Sequence, residues 1–199
     1  MVDLASMEVP DFDPNKVNQN QNIQQDWPKS FPKTTIGLER KNVFTDNDYS
    51  YLPGALESIR SLRLKGYKVV LIMDEKGRLE SEVNAANLKM MEDFGQAGIF
   101  SIEGIFYSVG TEKADPFVKP SAGMFKRCED EHPHLKFKNG WYVGHTIADA
   151  KAAFKVGSRF ALINPTEETI KKLNSFANQK IKKKTRIFKS LSEFEKNLK

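Results

Sequence analysis

From Lys33 onward, strand-length apolar runs alternate with helical patterns, and this alternation constrains the fold more than any other feature of the 199-residue chain. Tyr67 to Met73 (Tyr-Lys-Val-Val-Leu-Ile-Met) is a run of the kind found in strands buried on both faces. Thr34 to Leu38, Ile102 to Val109, Gly140 to Val143, Arg159 to Ile163 and Arg186 to Phe188 supply the other strands. Between them, Gly54 to Lys65 carries Leu56, Ile59, Leu62 and Leu64 at amphipathic-helix spacing and is closed by Gly66. Ser81 to Ala97, with Ser81 as N-cap, Ala122 to Asp130, Ile147 to Val156 and Thr166 to Ala177 are further helices, and Ser190 caps a last one. Strands alternating with helices predict an α/β fold, a three-layer, doubly wound parallel sheet of Rossmannoid type. In such a sheet ligands sit beyond the carboxyl ends of the strands. The residues to weigh are therefore Glu39 to Asn42, Met73 to Gly77, Val109 to Lys119 and Gly144 to Asp149.

The remaining sequence divides the chain in two. Residues 1–32 are rich in Asn, Gln, Asp and Pro and read as a flexible polar arm anchored by Trp27 and Phe31, ahead of one domain over 33–199. The arm has neither a basic start nor an apolar segment, so no signal peptide is expected. No apolar run approaches the roughly 20 residues that span a bilayer. A single cysteine, Cys128, excludes an internal disulfide and any zinc site built on several thiolates. A cytoplasmic protein without membrane contact is the expectation. The net charge of +5 is concentrated in Lys180 to Arg186. That run reads first as a solvated helix end or loop, and as a nucleic-acid contact only in second place.

Four phrases, in this order, carry a family likeness: Tyr51-Leu52-Pro53-Gly54-Ala55-Leu56-Glu57, Lys65-Gly66-Tyr67-Lys68-Val69-Val70, Val118-Lys119-Pro120 with Gly123-Met124, and Trp141-Tyr142-Val143-Gly144 through Asp149 to Gly157. The set resembles the haloacid dehalogenase-like (HAD) superfamily, and within it the histidinol-phosphate and heptose-bisphosphate phosphatase group. The resemblance implies an HAD-like sheet. No insertion after Glu39 or Met73 is large enough for a separate cap domain.

The chemistry implied by the resemblance needs a nucleophilic aspartate, which becomes an aspartyl-phosphate, and a second aspartate two residues on as acid and base. It also needs a hydroxyl and a lysine on the phosphoryl oxygens, and acidic residues after the fourth strand for magnesium. Carried onto this chain, the nucleophile position is Glu39 and the acid/base position Lys41. The hydroxyl position is Met73, and the first acid of the fourth motif is His145. Lys119 and Asp149 survive, Asn42 lies in the phosphate-binding loop, and the group's cysteine-rich zinc loop is missing. Two ion pairs are open: Glu39 with Lys41, and Lys119 with Glu39 or Asp149, the second making Lys119 a structural lysine where the resemblance implies an anion-binding one. A lone histidine such as His145 is expected to be only hydrogen-bonded.

A second register, in which Asp46 and Asp48 are the two acids, leaves only seven residues before Gly54, against fourteen from Glu39. In the Glu39 register both aspartates are turn residues. The first expectation is an HAD-like protein with lost or impaired phosphate-monoester hydrolysis. No cofactor is expected, and retained binding of a phosphorylated small molecule or a protein partner is. The alternatives are an active, magnesium-dependent phosphatase using Glu39 or Asp46/Asp48, and a nucleic-acid-associated or assembly protein using Lys180 to Arg186.

Overall fold

A computed structural model describes residues 34–198, and the arm with Trp27 and Phe31 lies outside the described residues. The strands are β1 (Thr35–Leu38), β2 (Lys68–Asp74), β3 (Ile105–Ser108), β4 (Trp141–Gly144), β5 (Arg159–Ile163) and β6 (Thr185–Phe188). The helices are α1 (Ala55–Leu64), α2 (Glu80–Gln96), α3 (Gly123–Glu131), α4 (Ile147–Lys155), α5 (Glu167–Asn174), α6 (Gln179–Lys182) and α7 (Leu191–Lys196). All described strand pairs are parallel, in the order β3-β2-β1-β4-β5-β6. The order reverses at β1, which puts a switch point at the carboxyl ends of β1 and β4.

Alternation along the strands divides the interior into two layers. Ile36, Leu38, Val69, Leu71, Met73 and Val143 face one layer with Ile59, Leu62, Phe94 and Phe194. Val70, Ile72, Tyr142, Phe160 and Leu162 face the other with Phe125, Phe137 and Ala153. The buried strand centres explain why β2 reads as an unbroken apolar run.

Two helix boundaries differ from expectation. Ser81 is not the N-cap of α2; that place belongs to Leu79, whose N–H donates to the Glu82 carboxylate at 3.3 Å. A carboxylate three residues on satisfies this helix end without a capping hydroxyl at Ser81. The helix expected over Thr166 to Ala177 stops at Asn174 and continues as a 3₁₀ turn, Phe176–Asn178. There the Asn178 amide donates to the Lys172 carbonyl at 2.8 Å, a side-chain bond in place of a helical one. Thr166 and Ser190 cap their helices through bonds from Thr169 N–H and Glu193 N–H. No described helix is long and apolar enough to cross a membrane.

Candidate functional site

Glu39 directly follows β1, with its backbone N–H donating to the Val143 carbonyl at 2.9 Å, and so sits at the switch point between β1 and β4. Lys119 enters from the loop between β3 and α3, and Asp149 from the first turn of α4. All three side chains are buried. The Lys119 ammonium bonds the Glu39 carboxylate through Oε2, Asp149 Oδ1 at 2.8 Å and the Tyr142 hydroxyl at 2.6 Å, and approaches the Ile72 carbonyl at 3.3 Å. The ammonium has three protons, so its donor capacity is fully used inside the protein.

Both carboxylates have further partners. Glu39 Oε1 accepts from Arg40 N–H at 2.8 Å, and Oε2 accepts from Asp74 N–H at 3.2 Å. Asp149 Oδ2 accepts from the N–H groups of His145 and Thr146 and from the Thr146 hydroxyl, the last at 2.7 Å. Thr146 Oγ1 in turn accepts from Asp149 N–H, which completes a capping box. Asp149 is thus a helix-capping residue and an ion-pair partner at once. Gly144 leaves room for it, since a Cβ there would lie 2.7 Å from Asp149 Cβ.

Tyr142 was not singled out in the sequence. Its ring lies beside Gly37, its register partner on β1, where a Cβ would come within 2.8 Å of Tyr142 Cδ2. That absent side chain lets the ring reach the cluster, where the hydroxyl also donates to the Ile72 carbonyl at 2.6 Å. A glycine inside an apolar strand was the available signal for a close approach.

The charges follow from this packing. Burial pushes the Glu39 carboxyl up to about 7, because desolvation outweighs the attraction of Lys119 and the nearby Asp149 charge adds to it. Burial also disfavours the Lys119 ammonium, but Asp149 and Glu39 reverse this and hold it well above its usual value. Asp149 is buried, yet Lys119, His145 and the Thr146 hydroxyl hold its carboxyl below the ordinary range. Burial lowers His145.

Glu39 makes the stability pH-dependent. Its folded pKa lies above its unfolded value of 4.5, so the native state binds the proton more tightly. The contribution is present in full below about pH 4.5 and is lost as pH rises through about 7, a span worth about 3 kcal/mol at 1.36 kcal/mol per unit. His145 acts in the opposite sense, so the difference between wild type and Glu39→Gln isolates Glu39. Urea unfolding at pH 5 and pH 8 should show the variant losing less stability than wild type, with identical losses as the contrary result.

Several expected site residues do not converge here. Lys41 is exposed and pairs with no carboxylate among the described residues, so the Glu39–Lys41 ion pair is not formed. Lys119 supplies the cation from the facing loop instead. Met73 is buried in the apolar layer with Leu71 and Phe94. Asn42 sits at a left-handed turn, φ 57°, and its N–H donates to the Thr45 carbonyl at 2.7 Å. His145 lies beside the cluster, with Nδ1 3.8 Å from Asp149 Oδ2 and without a hydrogen bond, contrary to expectation. Asp46 Oδ1 accepts from the N–H groups of Asp48 and Ser50, at 2.8 and 2.9 Å. That is an Asx turn in the segment after β1, and Asp48 is exposed, so neither aspartate stands at a strand end facing Lys119.

A second buried charge pair, also unread in the sequence, fastens this segment to the sheet. Arg40 donates to Glu75 Oε1 from Nε at 2.8 Å and from Nη2 at 2.5 Å, and to Asn87 Oδ1 at 2.9 Å. Its guanidinium lies 4.5 Å from the centroid of the Tyr49 ring, and Arg78 approaches the same ring at 4.7 Å. Between this segment and α2 runs a groove of about 870 Å³, whose lining includes Tyr49, Tyr51, Lys89 and Asp93.

No protein-family model matches the sequence, and no curated protein matches it. Solved structures do share the fold. D,D-heptose 1,7-bisphosphate phosphatase from B. bronchiseptica, complexed with magnesium and phosphate, has 21% identity and a TM-score of 0.69, over 82% of this chain and 97% of that one. A p-nitrophenyl phosphatase from Archaeoglobus fulgidus has 12% identity and a TM-score of 0.55, over 84% and 100%. A HAD-superfamily hydrolase from Ehrlichia chaffeensis has 12% identity and a TM-score of 0.50, over 80% and 60%. At these identities the likeness is one of fold.

Proposed function

We propose that this chain, built on the fold of the HAD-superfamily phosphatases, does not hydrolyse phosphate monoesters and acts as a binding protein. The observation that carries this reading is the closed set of bonds among Lys119, Glu39, Asp149 and Tyr142. A nucleophilic carboxylate needs a free oxygen in line with phosphorus, and both Glu39 oxygens hold internal donors. Glu39 is also neutral over part of the physiological range, given its raised pKa. Lys41, two residues on, brings no carboxylic acid to protonate a leaving oxygen.

The donor set is a poor fit for magnesium, which demands near-octahedral oxygen ligands. The Glu39 and Asp149 carboxylates face an ammonium, an imidazole stands where the fourth motif has its first acid, and even with Asp74 nearby no group of three or more His, Cys, Asp or Glu among the described residues could hold a metal ion. The groove between Tyr49 and α2, which Arg40 also lines, offers a concave surface for a phosphorylated small molecule or a protein segment. Steady-state assays of p-nitrophenyl phosphate and sugar phosphates with magnesium test the reading. The expected rate is indistinguishable from that of a Glu39→Gln control. Robust turnover that disappears in that variant would overturn it.

A further inference from the structure

At the opposite end of the sheet from the Lys119 cluster, separate segments bring cations to one surface. Lys136 and Lys138 precede β4, Lys155 ends α4, Arg159 opens β5, and Lys184 and Arg186 flank the start of β6. All six are exposed, and none pairs with a carboxylate among the described residues. They fall into two groups that meet at the start of β6, where Lys184 and Arg186 stand two residues apart. Lys136, Lys138 and Lys155 line one open groove of about 800 Å³. Its lining carboxylate, Glu129, already accepts from Phe137 N–H at 2.8 Å. Lys184 lies 5.6 Å from the centroid of Phe154, in α4 one residue before Lys155. Arg159 and Arg186 both approach the buried Trp141 ring, at 4.5 and 5.9 Å. Burial, and then the neighbouring Arg186 charge, lower Arg159 from its usual value.

Basic side chains on an edge strand discourage edge-to-edge pairing. That accounts for residues around β6, but not for Lys136, Lys138 and Lys155, which come from other elements. We infer that this surface binds the phosphate backbone of nucleic acid without sequence selectivity. A membrane is disfavoured because Ile187 is the only exposed large apolar side chain in these segments, and interfacial insertion needs more. An acidic protein is disfavoured because the patch lacks the exposed aromatic anchors on which protein interfaces depend. What remains is dense positive charge, with two guanidiniums steadied against one indole ring, which suits repeated phosphates.

The test is fluorescence anisotropy with a labelled single-stranded oligonucleotide across a salt series, using the full chain. Binding should weaken as salt rises. The combined variant Lys136→Gln, Lys138→Gln, Lys155→Gln and Lys184→Gln should bind at least about tenfold more weakly, with a log–log salt slope shallower by up to about 3, at about 0.7 per lost phosphate contact. A control variant with the same charge change elsewhere (Lys76→Gln, Lys113→Gln, Lys171→Gln and Lys189→Gln) should retain near-wild-type affinity. Equal losses in both variants would overturn the proposal. So would no oligonucleotide binding at low salt, sedimentation with phosphatidylserine vesicles in place of oligonucleotide binding, or displacement of the oligonucleotide by polyglutamate at equal charge concentration.

Discussion

Replacing Lys119 with methionine should lower the unfolding free energy by about 3–5 kcal/mol, the usual effect of removing one partner from a buried ion pair. The side chain is 5% exposed and is the cation shared by Glu39 and Asp149. Without it, Glu39 takes up a proton and Asp149 keeps its bonds from His145 N–H, Thr146 N–H and the Thr146 hydroxyl. The Tyr142 hydroxyl loses a donor as well. Adding Glu39→Gln to Lys119→Met should recover part of the loss, because it removes one uncompensated acid. Urea unfolding of the single and double variants measures both effects. A single-variant loss below about 1 kcal/mol, the range of exposed pairs, would mean that the cluster is not closed as described.

Arg40→Met is expected to produce a second loss of similar size, about 3–5 kcal/mol. Arg40 is 2% exposed and Glu75 7% exposed. The substitution leaves Glu75 with the Tyr49 hydroxyl, at 3.3 Å, and the more distant Arg78, at 3.8 Å. It also removes the guanidinium from the Tyr49 ring, and Tyr49 holds a positive φ of 65°. That conformation is costly for a bulky residue and persists only where its surroundings fix it. The segment from Asn42 to Tyr51 should therefore become more sensitive to limited proteolysis as well as less stable. Cleavage there at the wild-type rate, with an unchanged unfolding midpoint, would contradict this role for the pair.

The sheet was legible because buried parallel strands and amphipathic helices leave different periods in the sequence. Val69 to Met73 and the Leu56, Ile59 and Leu62 spacing each report their own burial. The carboxyl-end residues Glu39, Lys119 and Asp149 could be named because each follows a readable strand or opens a readable helix. Their pairing was legible only as alternatives. Lys41 and Lys119 both stood as cations for Glu39, and the one that meets it is eighty residues away in sequence. Tyr142 looked like one more apolar strand residue, and only its register opposite Gly37 reveals that its hydroxyl has a path to Lys119. Arg40 and Glu75 are thirty-five residues apart, and charged side chains are ordinarily expected at the surface. Hydrophobic periodicity carries no information about such polar pairing between distant strand ends.

In the proposed reading, Lys119 and its carboxylates form a closed cluster and not a magnesium–phosphate site. The most direct measurement is a crystal structure after soaking with magnesium and beryllium fluoride. The predicted result keeps Glu39 and Asp149 bonded to Lys119, with the Tyr142 hydroxyl in place and no metal between the carboxylates. An octahedral magnesium bridging Glu39 and Asp149, with beryllium fluoride on the Glu39 carboxylate, would contradict it.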